Sequence, residues 1–164
     1  MKEQPSGKPV SDSAIHDQTS VVYPNDLNAY GTLFGGRVLE LCDKIAGVVA
    51  KRHSGKVCVT LSVDSVRFLA PAKHGDILVF KASLNRTWHS SMEIGLKVYA
   101  EDFRNLEQKH IVSAYFTFVA VDDKMKPVNV IPVIAESEEE KRRYAEADKR
   151  RQLRLATFPK KASK

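Results

Sequence analysis

RVLELCDKIAGVVAKRH, residues 37–53, is the stretch on which the fold turns. Its polar residues Arg37, Glu40, Lys44 and Lys51 recur at steps of three, four and seven, the period of one helical stripe, with Glu40 and Lys44 spaced for an i,i+4 pair. Val38, Leu39, Leu41, Cys42, Ile45, Ala46, Val48, Val49 and Ala50 cover most of the remaining circumference, so the helix is expected to be buried on more than one side. Asp43 breaks the pattern. It lies outside the polar stripe, on the line Gly36, Leu39, Asp43, Ala46, Ala50.

Working outward, NDLNAYGTLFGG before the helix is dense in turn formers and reads as a loop. SVVYP reads as a short strand ending at Pro24, and residues 1–19 as a flexible lead-in rich in Ser, Pro, Gly, Asp and Lys. After the helix, VCVTLSV alternates with period two. Its phase flips at Val66 and Phe68, which a bulge near Asp64–Ser65 explains. Ile77 to Trp88, Ser91 to Glu101 and His110 to Val121 follow as β-rich segments, separated by short turns and expected to form an antiparallel meander. Ser137 and Glu140 make a capping box that opens a highly charged C-terminal helix. One apolar helix and four long strands predict an α+β fold with the sheet wrapped around the helix. Its open sheet edges and exposed helix flank are covered most simply by homo-oligomerisation.

At 164 residues, 43% hydrophobic and 28% charged, the chain suits one domain with short tails. Residues 20–135 are expected to form that domain, and 136–164 a charged helix and tail. The apolar run Ile45 to Ala50 is far short of the roughly 20 residues a spanning helix needs, and residues 1–16 hold no apolar signal segment. A cytoplasmic protein without a membrane partner is the expectation. Cys42 and Cys58 form no CxxC motif and read as buried free thiols. Of the net charge of +6, residues 136–164 carry +4, ten Lys or Arg against six Asp or Glu. Such a tail is compatible with a solvated surface, and with no recognisable DNA-binding module it predicts no nucleic-acid partner.

Pro24 to Gly36, followed by Leu41-Cys42-Asp43-Lys44-Ile45-Ala46-Gly47, resembles the hotdog-fold acyl-CoA hydrolases, both the brain enzyme and its bacterial relatives. Arg52-His53-Ser54-Gly55, Val66 to Pro71, Gly75-Asp76, Ser91-Met92-Glu93 and Phe116 to Ala120 carry the same resemblance, which spans roughly residues 20–154. It implies that Asp43 acts as base or nucleophile, and that Asn28 places water or polarises the thioester. In related dimers a site joins the Asn of one subunit to the acid of the other. A homodimer of this chain would then hold two equivalent sites, within a trimer of dimers by analogy. Arg52, Lys56 and Arg86 are candidate contacts to the coenzyme A phosphates, Ser54 is a further candidate coenzyme A contact, and Ser90 and Ser91 are candidate lining for the pantetheine arm.

The chemistry agrees with these residue types. Thioester hydrolysis needs an activated water and a stabilised oxyanion. Gly35-Gly36 at a helix start leaves backbone N–H groups bare for the thioester oxygen. No metal, resident cofactor or nucleophilic serine is required, and coenzyme A is part of substrate and product. Plainer roles compete: Asp43 as a buried acid with a backbone donor, Asn28 as a turn cap, Gly35-Gly36 as close packing, His53 as a helix-end cation. Two other functions compete as well. A hotdog dehydratase would use a His with a carboxylate, yet His53 is the first histidine in the helix, ten residues after Asp43. A non-catalytic acyl-CoA sensor would leave Asp43 without a purpose.

Overall fold

The computed structural model describes residues 7–158. In chain order the elements are β1 (Lys8–Pro9), β2 (Ile15–Val21), α1 (Gly35–Ser54), β3 (Val57–Phe68), β4 (Ile77–Thr87), β5 (Ser91–Glu101), β6 (Gln108–Val121), β7 (Val133–Ile134) and α2 (Glu138–Thr157). Short 3-10 turns at Val10–Asp12 and Pro24–Asp26 complete them.

The helix read from the stripe is α1. Gly55 ends it in the left-handed region at φ 65°, where its N–H reaches the carbonyl of Lys51. Val38, Cys42, Ala46, Val49 and Ala50 are all but inaccessible. They pack into one core with Phe80, Met92, Ile94, Phe116 and Phe118 of the sheet. Each fully buried large side chain contributes roughly 1.5–3 kcal/mol. Strand alternation then divides the sheet. Met92, Ile94, Leu96 and Val98 of β5 join the α1 core, while Glu93 between them points to the other face and is met by α2.

Five strands form one antiparallel sheet in the order β2-β4-β5-β6-β3, and β1 pairs with β7 in a separate parallel ribbon. β4, β5 and β6 form the expected meander. The chain leaves β2 at one edge, crosses the sheet as α1, and enters β3 at the opposite edge beside β6. The bulge expected near Asp64–Ser65 is present, since the β3–β6 ladder breaks between Val63 and Ser65, and again between Thr60 and Ser62.

The lead-in differs from expectation. Residues 8–19 hold β1, a turn and most of β2, whose Gln18 to Val21 pair with Phe80 to Ile77. The polar run His16 to Ser20 is an edge strand, mostly exposed, and an edge needs no apolar face to form its ladder. Residues 1–6 of the expected lead-in and 159–164 of the expected tail lie outside the described residues.

Candidate active site

Asp43 sits midway along α1, partly buried, with its carboxylate turned toward β3. Thr60 Oγ1 donates a 2.7 Å hydrogen bond to Asp43 Oδ1, and Oδ2 accepts from no described residue. The carboxylate opens on a groove walled by Gly47, Lys51, Cys58, Thr60 and Phe118. A second cavity of about 380 Å³ lies on the opposite face of the sheet, under the first turns of α2, and holds none of the candidate residues. Among the described residues no group of His, Cys, Asp and Glu is assembled to hold a metal ion.

Asn28 is spent on its own loop. Its Oδ1 accepts from the N–H groups of Tyr30 (2.9 Å) and Thr32 (3.2 Å), and its Nδ2 donates to Thr32 Oγ1 (2.9 Å). The turn closes at Gly31, whose φ of 77° favours glycine. This is the turn-capping role, and it leaves one Nδ2 hydrogen free to point outward. The loop continues into α1, which no side chain caps. The first N–H groups of a helix have no intrahelical partner. The glycines there also serve packing: a Cβ at Gly36 would fall 2.5 Å from Phe34 Cε1, and one at Gly35 would fall 3.2 Å from Phe68 Cζ.

Within one chain these groups do not converge. Gly36 and Asp43 lie seven residues apart on one helix, about 10 Å at 1.5 Å per residue. Arg52, Ser54 and Lys56 gather at the far end of α1. Arg52 and Lys56 are exposed, whereas Ser54 Oγ is used locally, bonding the Ala50 carbonyl at 2.8 Å and lying 3.2 Å from Cys58 Sγ. Ser90 and Ser91 stand at the β4–β5 hairpin, and neither hydroxyl bonds to a described residue.

Two expectations change. Arg86 belongs to the docking of α2: its guanidinium lies 4.1 Å from the Tyr144 ring centroid, and its Nη2 is 3.5 Å from Asp148 Oδ1. A phosphate contact would have to displace these partners. His53 is buried, with Nε2 2.9 Å from the Ile131 carbonyl oxygen, and burial lowers its pKa, which disfavours the helix-end cation.

Thr60 was not among the sequence candidates. Its signal was faint: a Thr in the alternating run, on the side of Cys58, opposite an acid-bearing helix. The role of Glu93 was also hidden. Fully buried, it accepts a fork from Arg150 (2.7 and 3.0 Å) and a bond from Asn85 Nδ2 (2.9 Å). The guanidinium of Arg150 also lies over the Tyr115 ring. Cys42 and Cys58 are buried free thiols, as read.

Comparison with known proteins places this geometry. The family model described as Thioesterase superfamily matches residues 30–106. The uncharacterized acyl-CoA thioester hydrolase YkhA of Bacillus subtilis is 40% identical over 123 residues, covering 75% of this chain and 72% of that protein. An apo-hexameric acyl-CoA thioesterase superposes with a TM-score of 0.88 at 37% identity, covering 93% of this chain and 97% of its own. The acyl-CoA hydrolase of Staphylococcus aureus, solved with butyryl coenzyme A, coenzyme A and coenzyme A disulfide, superposes with a TM-score of 0.85 at 38% identity, covering 92% of this chain and 91% of its own. Alanine variants of an aspartate, a threonine and an asparagine of the Staphylococcus enzyme have also been solved. With the central helix on its antiparallel sheet and identities this high over nearly the whole length, the chain belongs to the hotdog-fold thioesterase superfamily, among its acyl-CoA thioester hydrolases.

Proposed function

We propose that the enzyme hydrolyses acyl-CoA thioesters at a site completed by two chains, with Asp43 of one and the Asn28 loop and α1 N-terminus of the other. The observation that carries this reading is the Asp43 carboxylate itself. One oxygen is anchored by a neutral hydroxyl, the other is unengaged, and both face an open groove. A carboxylate so held can take a proton from water as that water attacks the thioester carbonyl. It can equally attack the carbonyl itself and be released by water. Either route puts negative charge on the carbonyl oxygen, where bare helix N–H groups and an Asn28 amide hydrogen would receive it. Collapse expels the coenzyme A thiolate, which takes up a proton; the first route leaves the carboxylic acid, and the second leaves an anhydride with Asp43 that water cleaves to the acid and the free carboxylate.

The distance within one chain supports a shared site, because an oxyanion held at the start of α1 would lie about 10 Å along the helix from Asp43 of the same chain. The exposed edge of β3 offers the contact. Among the described residues it pairs only with β6, and its Val57, Leu61 and Val63 are 55%, 60% and 48% exposed. A homodimer joined there, assembled into a hexamer as in the apo-hexameric relative, is our proposal for the assembly. Arg52 and Lys56 would meet coenzyme A phosphates, and Ser90 and Ser91 its pantetheine arm. Among the described residues no helix is long and apolar enough to cross a membrane. The two free thiols suit a reducing compartment, and we place the enzyme in the cytoplasm.

The hydratase reading lacks its base, because the imidazole of His53 is buried against Ile131 rather than turned to the groove. The test is thiol release from acyl-CoAs of two to sixteen carbons, by wild type and by Asp43→Asn. Turnover should fall ~100- to 10,000-fold on every chain length while binding persists. Retention of more than half the wild-type turnover number would sink the assignment.

A further inference from the structure

The strand that holds Asp43 in place is itself irregular. Thr60 stands opposite Phe118, on the α1 face, whereas Ser62 stands opposite Thr117, on the α2 face. In an unbroken strand residues 60 and 62 would share a face, so the first ladder break sets the phase of Thr60. The second break leaves Asp64 without a ladder partner. Its carboxylate instead accepts from Ser62 Oγ (2.8 Å), Thr117 Oγ1 (2.6 Å) and Arg154 Nη1 (2.8 Å). Arg154 Nη1 also lies 2.8 Å from Thr117 Oγ1. The Asp64 and Arg154 side chains are only 7% and 14% exposed. Among the described residues nothing apolar covers Leu61 and Val63, which turn outward. A cation on the C-terminal helix therefore ties the bulged residue of β3 to the neighbouring strand, on the side of the sheet opposite Asp43.

We propose that Arg154 and Asp64 are positioning residues for hydrolysis: they lock the bulged segment of β3 in the phase that presents Thr60 Oγ1 to Asp43. The inference rests on Asp43 as the reacting carboxylate. The charged helix is then part of the enzyme's working structure, acting through Asp64 and then Thr60 without touching substrate. Loss of the clamp frees residues 61–64 to shift against β6. Thr60 moves with them, and Asp43 loses the donor that fixes its orientation.

The experiment compares the full-length double variant Asp64→Asn/Arg154→Met, which strands no buried charge, with Arg143→Met and Thr60→Val. Arg143 fastens the same helix to Ser83 Oγ (3.2 Å), far from the β3 bulge, and so reports helix docking alone. For the double variant kcat should fall about tenfold with KM within about twofold, while Arg143→Met keeps wild-type kcat. In a Thr60→Val background the double substitution should cost under about twofold more, because its effect travels through the hydroxyl already removed. Wild-type kcat in the double variant would overturn the proposal, as would full multiplication of its effect with that of Thr60→Val. Failure of the underlying reading is separate, showing as persistent turnover in Asp43→Asn.

Discussion

Replacing Arg150 with Met removes the guanidinium and keeps a stem that can still cover Tyr115. The Glu93 carboxylate left behind is fully buried, and its one remaining donor is Asn85 Nδ2. Both its oxygens lose the charge-assisted bonds at 2.7 and 3.0 Å. Breaking a buried pair on one side costs about 3–5 kcal/mol, which for a chain of this size lowers Tm by about 6–20 °C. The assay is thermal unfolding followed by circular dichroism at fixed protein concentration, because oligomerisation links Tm to concentration. Added salt should not reproduce the loss in wild type, since the pair is largely withdrawn from solvent. The second half of the test is Glu93→Gln in the same background. It removes the stranded charge and should recover most of the lost Tm, as paired replacement of a buried ion pair is near neutral. A fall under about 3 °C for Arg150→Met would refute the reasoning, as would failure of Glu93→Gln to restore stability.

Two further outcomes are expected. Co-expressed, differently tagged Asn28→Ala and Asp43→Asn chains should form mixed dimers with one intact site of two, so that random pairing returns about a quarter of wild-type activity. Purified mixed dimers as inactive as their parents would exclude a site shared in this way. His53 contributes a pH dependence: burial first, then the field of Lys8, lowers its pKa, so the unfolded chain takes up this proton more readily. Stability should be complete above the unfolded value of about 6.5 and decline as pH falls below it, with a shallower decline of Tm in His53→Gln. Equal slopes in the two proteins would remove His53 from that account.

Periodicity made the central helix legible, because an amphipathic pattern with one misplaced acid survives any tertiary arrangement. The bulge in β3 was legible too, as the phase flip between Val63 and Val66. What pairs with what was not. Alternation says that β3 is a strand, but only the crossing of α1 decides that it lies beside β6 rather than β4. The polar run His16 to Ser20 looked like loose chain because an edge strand needs no apolar signature. Arg86 read as a candidate phosphate contact because its partners, Tyr144 and Asp148, lie about sixty residues downstream. Asp43 stood out on the sequence alone. Thr60, its hydrogen-bond partner, did not, since a threonine in a strand is ordinary until the facing helix is in place.

The buried acids of the sheet carry a consequence for biosynthesis. Glu93 and Asp64 find their cations 57 and 90 residues later in the chain. At about 5–20 residues per second a ribosome needs roughly 3–11 s to travel from codon 93 to codon 150, and roughly 5–18 s from codon 64 to codon 154. Through that interval α2 has not yet been made, so the face of the sheet that carries Glu93 and Asp64 is open to water and β4, β5 and β6 can pair over α1 with both acids solvated. The last turns of α2 thus act as a late closure, which withdraws both acids from water together with their cations. A nascent chain stalled before Arg150 should already protect its α1 core from protease, while the α2 face of the sheet stays open.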